Sequence, residues 1–260
     1  MNLSPTLHKA LRFTVAASAI LAMLLQSLAY LASLVTDSNY FAYGSILPIL
    51  AVASAAVAAA VGTADAILSG KAQKLDRKDR SRLASLPAAI GFAVAGIHLL
   101  LIAPTKLGII GAILLIFGAL YCALDCIGTE KFGSVAPLIG FANVLGCACL
   151  TCYHYFDQTV EMNAPAKVTI QLALLVAMLF YTAELRCRLG NPAPRLYRML
   201  NAWTLASGAL ASLPIILAFA AGKITRVDYL TAAILVLGVT ATAGIRFALL
   251  LPEGRYQENV

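Results

Sequence analysis

A chain of 260 residues with 61% hydrophobic and only 12% charged residues is not a soluble domain, where about 45–50% and 25% are usual. Its mean hydropathy of +0.85 places it in a membrane. The formal net charge of +7 does not indicate nucleic-acid binding, because the cations sit in short connections between apolar runs, where membrane topology requires them.

About 20 mostly apolar residues are needed for a helix to cross hydrocarbon. Eight segments qualify in chain order: Phe13–Val35, Ile46–Leu68, Ala84–Ala103, Leu107–Ile127, Val135–Tyr155, Val168–Leu185, Tyr197–Ala221 and Leu230–Leu251. Strands are excluded from the spans, since an open sheet edge is unsatisfied in lipid. Lys9 and Arg12 precede the first run as they would in a signal peptide, but that run is long enough to be the first span. Pro104 separates spans three and four, and Gly128 and Gly133 separate four and five.

The basic residues set the orientation. With the N-terminus inside, Lys9, Arg12, the six cations of Lys71–Arg82, Lys131, Arg186, Arg188, Arg195, Arg198, Arg246 and Arg255 are cytoplasmic. Lys106, Lys167, Lys223 and Arg226 are outside. This asymmetry is a strong positive-inside bias. The expected fold is an all-α integral membrane bundle of eight helices in the plasma (inner) membrane, both termini cytoplasmic, as one transmembrane domain over 1–260. No loop has room for a nucleotide-binding domain, and there is no Gly-rich phosphate loop. Energy would come from an ion gradient or a partner subunit.

An internal echo runs through the chain. Thr63-Ala64-Asp65 ends span two and is followed by the basic loop Lys71–Arg82; Thr182-Ala183-Glu184 ends span six and is followed by Arg186, Arg188, Arg195 and Arg198. Ala112-Ile113-Leu114-Leu115 resembles Ala233-Ile234-Leu235-Val236, and that offset sets Asp125 opposite Arg246. Two parallel four-helix halves, 1–130 and 131–260, would produce this; so would the compositional sameness of apolar helices. Small residues at helical spacing (Ser54, Ala58, Gly62; Ala88, Gly91, Ala95; Gly111, Gly118) predict close helix crossings.

Four ionisable residues lie inside even-numbered spans near their cytoplasmic ends: Asp65, Asp125, Glu184 and Arg246. Charge within a span is costly and finds a partner or a watery cavity. Three acids against one arginine leave negative charge for a proton or cation to neutralise; alternatively these groups reach the interface and pair with the basic loops. His98, near the outer end of span three, suits either proton transfer or one hydrogen bond to a neighbouring helix. A haem between His98 and His154 is the remote reading. Cys147, Cys149, Cys152 and His154 do not converge on a helix as zinc requires, so the cysteines read as small buried apolar residues, with no metal or cofactor expected.

The outer loop after span five carries Tyr153, Tyr155 and Phe156 for an aromatic belt, Asn163 as a cap and Pro165 for the next helix, with His154, Asp157 and Glu161 as candidate ligands for a cation or amine. The stretch from Tyr155-Phe156-Asp157 through Met162-Asn163-Ala164-Pro165-Ala166-Lys167 to Gln171-Leu172-Ala173 resembles a family of uncharacterised multi-pass bacterial membrane proteins. That resemblance implies a bacterial inner membrane and no activity. Lys71–Arg82 is either a topogenic loop, an anionic-lipid site or a dock for a cytoplasmic partner.

The leading functional expectation is transport of a small solute or ion, with Asp65, Asp125 and Glu184 as coupling carboxylates and Arg246 as their counter-charge. The alternative is a non-catalytic sensor or assembly subunit, partnered or homo-oligomeric, acting through its outer and basic loops. An intramembrane enzyme ranks last, since no nucleophile, paired-aspartate or metal spacing supports it.

Overall fold

Hydrocarbon offers no partner to a backbone N–H or C=O, so each apolar run must satisfy its own by coiling into a helix. The computed structural model describes residues 5–36, 39–68, 82–103, 105–127, 135–189 and 193–249. Among these, eight helical segments are long and apolar enough to cross a membrane; the chain is a multi-pass, all-α membrane protein. The elements are α1 (Pro5–Ser33), β1 (Leu34–Val35), β2 (Tyr40–Phe41), α2 (Leu47–Leu68), a 3-10 turn (Arg82–Ser85), α3 (Leu86–Ile102), α4 (Lys106–Ile127), α5 (Val135–Phe156), α6 (Pro165–Arg188), α7 (Pro194–Ala211), α8 (Leu213–Ala220) and α9 (Val227–Leu249). The basic run from Lys71 to Arg80, Pro104, Gly128, Lys131, Gly133 and Arg255 fall outside the described residues, and with them most of the candidate lipid site Lys71–Arg82.

Three expectations need correction. The first helix stops at Ser33, and Leu34–Val35 instead pairs antiparallel with Tyr40–Phe41. Asn39 closes that hairpin at φ 59°, a left-handed conformation that asparagine tolerates better than most residues. Asn163 does not cap α6: the cap position is Ala164, without a side-chain bond, and Asn163 Oδ1 accepts from the Tyr40 hydroxyl. Span seven is not one helix. Ser212 adopts ψ −95° between α7 and α8, because Pro214 brings no N–H to the carbonyl one turn earlier and its ring crowds that turn.

Helices α3, α4, α5, α6 and α9 close a ring, each packed on the next and α9 returning to α3. Their shared core includes Phe92, Leu115, Phe180, Tyr181 and Leu235. It draws on residues from both 1–130 and 131–260. Helix α7 joins this ring to α2, and α1 lies across α2, α7 and α8 over a smaller cluster of Val15, Ala51, Ala55, Ala58, Ala202 and Ala206.

Helices gain little hydrophobic reward from associating in lipid, so backbone approach along small faces holds them together. Ala51, Ala55, Ala58 and Gly62 form the buried edge of α2, and Gly62 abuts Ala202 of α7. Gly91 of α3 faces Gly238 of α9, so closely that a Cβ on Gly238 would lie 3.0 Å from the Gly91 Cα.

Candidate functional site

Alternating spans bring the start of α3 and α7 and the last turns of α2, α4, α6 and α9 to one end of the bundle. The ring geometry there turns Asp125 of α4, Glu184 of α6 and Arg246 of α9 toward one another. Arg246 Nη1 donates to Glu184 Oε2 and to the Tyr197 hydroxyl (3.1 Å), while Nη2 donates to Ser85 Oγ (2.6 Å) and Asp125 Oδ2 (3.0 Å). Tyr197 donates in turn to Glu184 Oε2 (2.9 Å), and Ser85 to Asp125 Oδ2. Glu184 is fully buried and Arg246 is 8% exposed. Both prongs of the guanidinium fork are thus occupied, each on a different carboxylate, a use of fixed planar geometry that lysine cannot match. The guanidinium carbon also lies 5.8 Å from the centre of the Phe180 ring, and Phe180 stacks on Tyr197.

Asp65 departs from the expected layer. It lies at the same end, buried, but bonds His8 Nδ1 of α1 at 2.8 Å and sits 3.9 Å from Arg12 Nε. The cause is packing: α2 touches α1 and α7 and lies outside the five-helix ring. Its carboxylate therefore fastens the α1–α2 hairpin.

The sequence reading missed three members of these networks, His8, Ser85 and Tyr197. Ser85 carried a misleading signal. It stands just before Pro87 and a helix, as a capping serine would, yet makes no cap bond because its hydroxyl is drawn into the charge network.

A polar file continues from this cluster into the bundle. One turn further in, Cys122 and Tyr181 meet at 3.9 Å, and Asn143 Nδ2 donates to Cys122 Sγ at 3.5 Å. Asn143 is fully buried and its Oδ1 has no hydrogen-bond partner. Eight residues from the start of α5, it lies about 12 Å along that helix.

At the opposite end, Arg226 Nη2 bonds Asp157 Oδ2 (2.5 Å) and Asp228 Oδ2 (2.8 Å), its Nε bonds Asp228 Oδ1 (3.0 Å), and Nη1 donates to Thr159. Lys167, expected in an outer loop, is instead 1% exposed, with Nζ donating to the carbonyls of Asp157 (2.6 Å) and Val160 (3.1 Å). Glu161 accepts from the Tyr40 hydroxyl. The cation at Asp157 is therefore the protein's own arginine. His98 Nδ1 bonds Thr231 Oγ1 at 2.6 Å, and that hydroxyl donates to the Val227 carbonyl, so the imidazole is the donor. His154 lies fully buried beside Asp228. All six cysteines are free thiols, and among the described residues no three His, Cys, Asp or Glu side chains converge as metal ligands.

Burial pushes the Asp157 carboxyl up, but the Thr159 hydroxyl and amide, and then Arg226, outweigh it and hold the group below its usual value. A depressed folded value means the stabilising contribution is complete above the ordinary aspartate range near pH ~4 and is lost as pH falls through the lower folded value. Acidification below about pH 4 is expected to loosen the 157–164 loop. Hydrogen exchange at the Thr159 and Val160 amides checks this, and Arg226→Gln should move the onset to higher pH.

No family model, curated protein or solved structure matches this chain, so the resemblance of the stretch around residues 155–173 carries no argument about what the protein does.

Proposed function

We propose that the protein moves a small solute or ion across the membrane, coupled to protons through Glu184 and Asp125. The observation that carries the reading is one buried arginine shared by carboxylates from two different helices. A proton on either acid removes one of the charged acceptors that tie α9 to α4 and α6. Such a group has two states of different connectivity, which is what coupling requires. The polar file through Tyr181, Cys122 and Asn143 extends from that cluster toward mid-span and supplies hydrogen-bonding groups where lipid supplies none. The break between α7 and α8 supports the same reading, since interrupted spans are a recurrent feature of transporters.

The test is proton movement into proteoliposomes holding an internal pH dye, with pools of small polar solutes added outside under an imposed pH gradient. Solute-dependent proton entry is expected from the unaltered chain and is expected to vanish in Glu184→Gln, which keeps the size of the side chain and one acceptor oxygen but cannot take up a proton. Proton entry that persists unchanged in Glu184→Gln, or none in the unaltered chain with any pool, overturns the reading.

A further inference from the structure

Of the three histidines in the chain, His8 and His98 each bond a neighbouring side chain, while neither nitrogen of His154 has a hydrogen-bond partner. The His154 ring is fully buried in the last turn of α5. Tyr229 of α9 lies against it, ring centres 5.4 Å apart, and its buried hydroxyl is likewise without a partner. Buried polar atoms almost always have partners, and three such atoms at one helix contact call for a partner from outside the chain. Asp228 does not supply the missing bond. Its Oδ2 stands 3.8 Å from His154 Nδ1, beyond hydrogen-bond reach, and both of its oxygens are held by Arg226.

The chemistry of the place is polar but carries no net charge. Arg226 and Lys167 stand against Asp157 and Asp228, and full burial between those two cations favours the uncharged imidazole. An uncharged imidazole offers one N–H donor and one bare nitrogen as acceptor, and a tyrosine hydroxyl both donates and accepts.

We propose that the His154–Tyr229 contact is a binding site for a small uncharged solute with both a donor and an acceptor, of the primary-amide kind, covered by the 157–164 loop. A charged solute would bring an unbalanced ion into a buried set that already sums to zero. The cover is built by three ties. Lys167 Nζ holds the carbonyls of Asp157 and Val160, Arg226 holds Asp157 and Thr159, and the Tyr40 hydroxyl bonds Glu161 and Asn163. The loop therefore lies across the outer ends of α6 and α9, with Gln158, Thr159, Glu161, Met162 and Asn163 exposed. Lifting it is the way in that parts no two helices.

Binding here is an equilibrium property and does not rest on transport or on the Arg246 cluster at the other end. The test uses the full chain in detergent with its histidines labelled with nitrogen-15, titrated with acetamide and, in parallel, with acetate and methylammonium. His154→Gln assigns the His154 signal. Acetamide is expected to shift the His154 nitrogens saturably and to leave those of His8 and His98 in place. It is also expected to slow hydrogen exchange at the Thr159 amide, since a bound solute favours the closed loop. Acetate and methylammonium should do neither. Tyr229→Phe should weaken acetamide binding about five- to tenfold, the effect of one hydrogen bond, without lowering the unfolding midpoint, because that hydroxyl bonds nothing in the fold. A His154 signal unmoved by acetamide, equal shifts from the charged probes, or undiminished affinity in Tyr229→Phe overturns the site. So does a lower unfolding midpoint in Tyr229→Phe, which would mean that the hydroxyl serves the fold. Thr159 exchange that acetamide leaves unchanged overturns the loop's part as the cover.

Discussion

Arg246→Met is expected to destabilise the protein by about 3–5 kcal/mol, the usual cost of removing one partner of a buried ion pair. The arginine satisfies Glu184, Tyr197, Ser85 and Asp125 at once. Its removal takes a positive charge and a hydrogen-bond donor from a fully buried Glu184. Methionine keeps the volume, so the loss reads as charge and hydrogen bonding rather than cavity. Thermal unfolding in detergent measures it, together with Glu184→Gln and the double substitution. The double variant should recover part of the loss, because two neutral side chains need less from each other than one orphaned charge does. If the single and double losses simply add, Arg246 and Glu184 are not the coupled pair their geometry indicates.

Gly238→Ala is the second large effect, and it acts without charge. The added Cβ would stand 2.5 Å from the Pro87 carbonyl oxygen and 3.0 Å from the Gly91 Cα. Both are backbone atoms, so no side chain can swing aside, and α3 and α9 must move apart. Overpacking of this kind costs about 1–3 kcal/mol, occasionally more. This crossing sits between the two charge clusters of α9, so its displacement also bears on how Arg246 meets Ser85. Gly222→Ala is the control: φ is +68° there with open space around it, and only the backbone penalty of about 1 kcal/mol is expected. Equal losses in the two variants, measured by unfolding midpoint, would mean the crossing is not tight.

Much of the architecture was legible because hydropathy is a local sum. Each of the eight spans shows itself in its own run of about 20 residues, and the structure moves most limits by a few positions, as at Pro165, although the first helix starts eight residues before the expected Phe13, at Pro5. Small-residue rows were legible in part for the same reason: helical spacing puts Ser54, Ala58 and Gly62 on one face, and the structure buries Ala58 and Gly62 with Ala51 and Ala55 while Ser54 stays half-buried. The break at Ser212 was recoverable from Pro214 had its missing N–H been weighed above the surrounding hydropathy. Lys167 shows the opposite failure. Counting it as an outer-loop cation overlooked that a helix starting at Pro165 turns it back onto the carbonyls of Asp157 and Val160.

What the sequence determined by itself was that this chain lives in a membrane as several helices, and that Asp65, Asp125, Glu184 and Arg246 lie near one end of them. Only the tertiary structure decided which of those charges meet. Ser85 and Arg246 are in contact across 161 residues of chain, while Asp65 is claimed by His8 because α2 packs against α1 rather than into the ring. Burying a residue depends on its own transfer free energy, which its neighbours in sequence largely reveal. Pairing depends on the relative position of two helices, and that is fixed by the packing of small faces along their whole length.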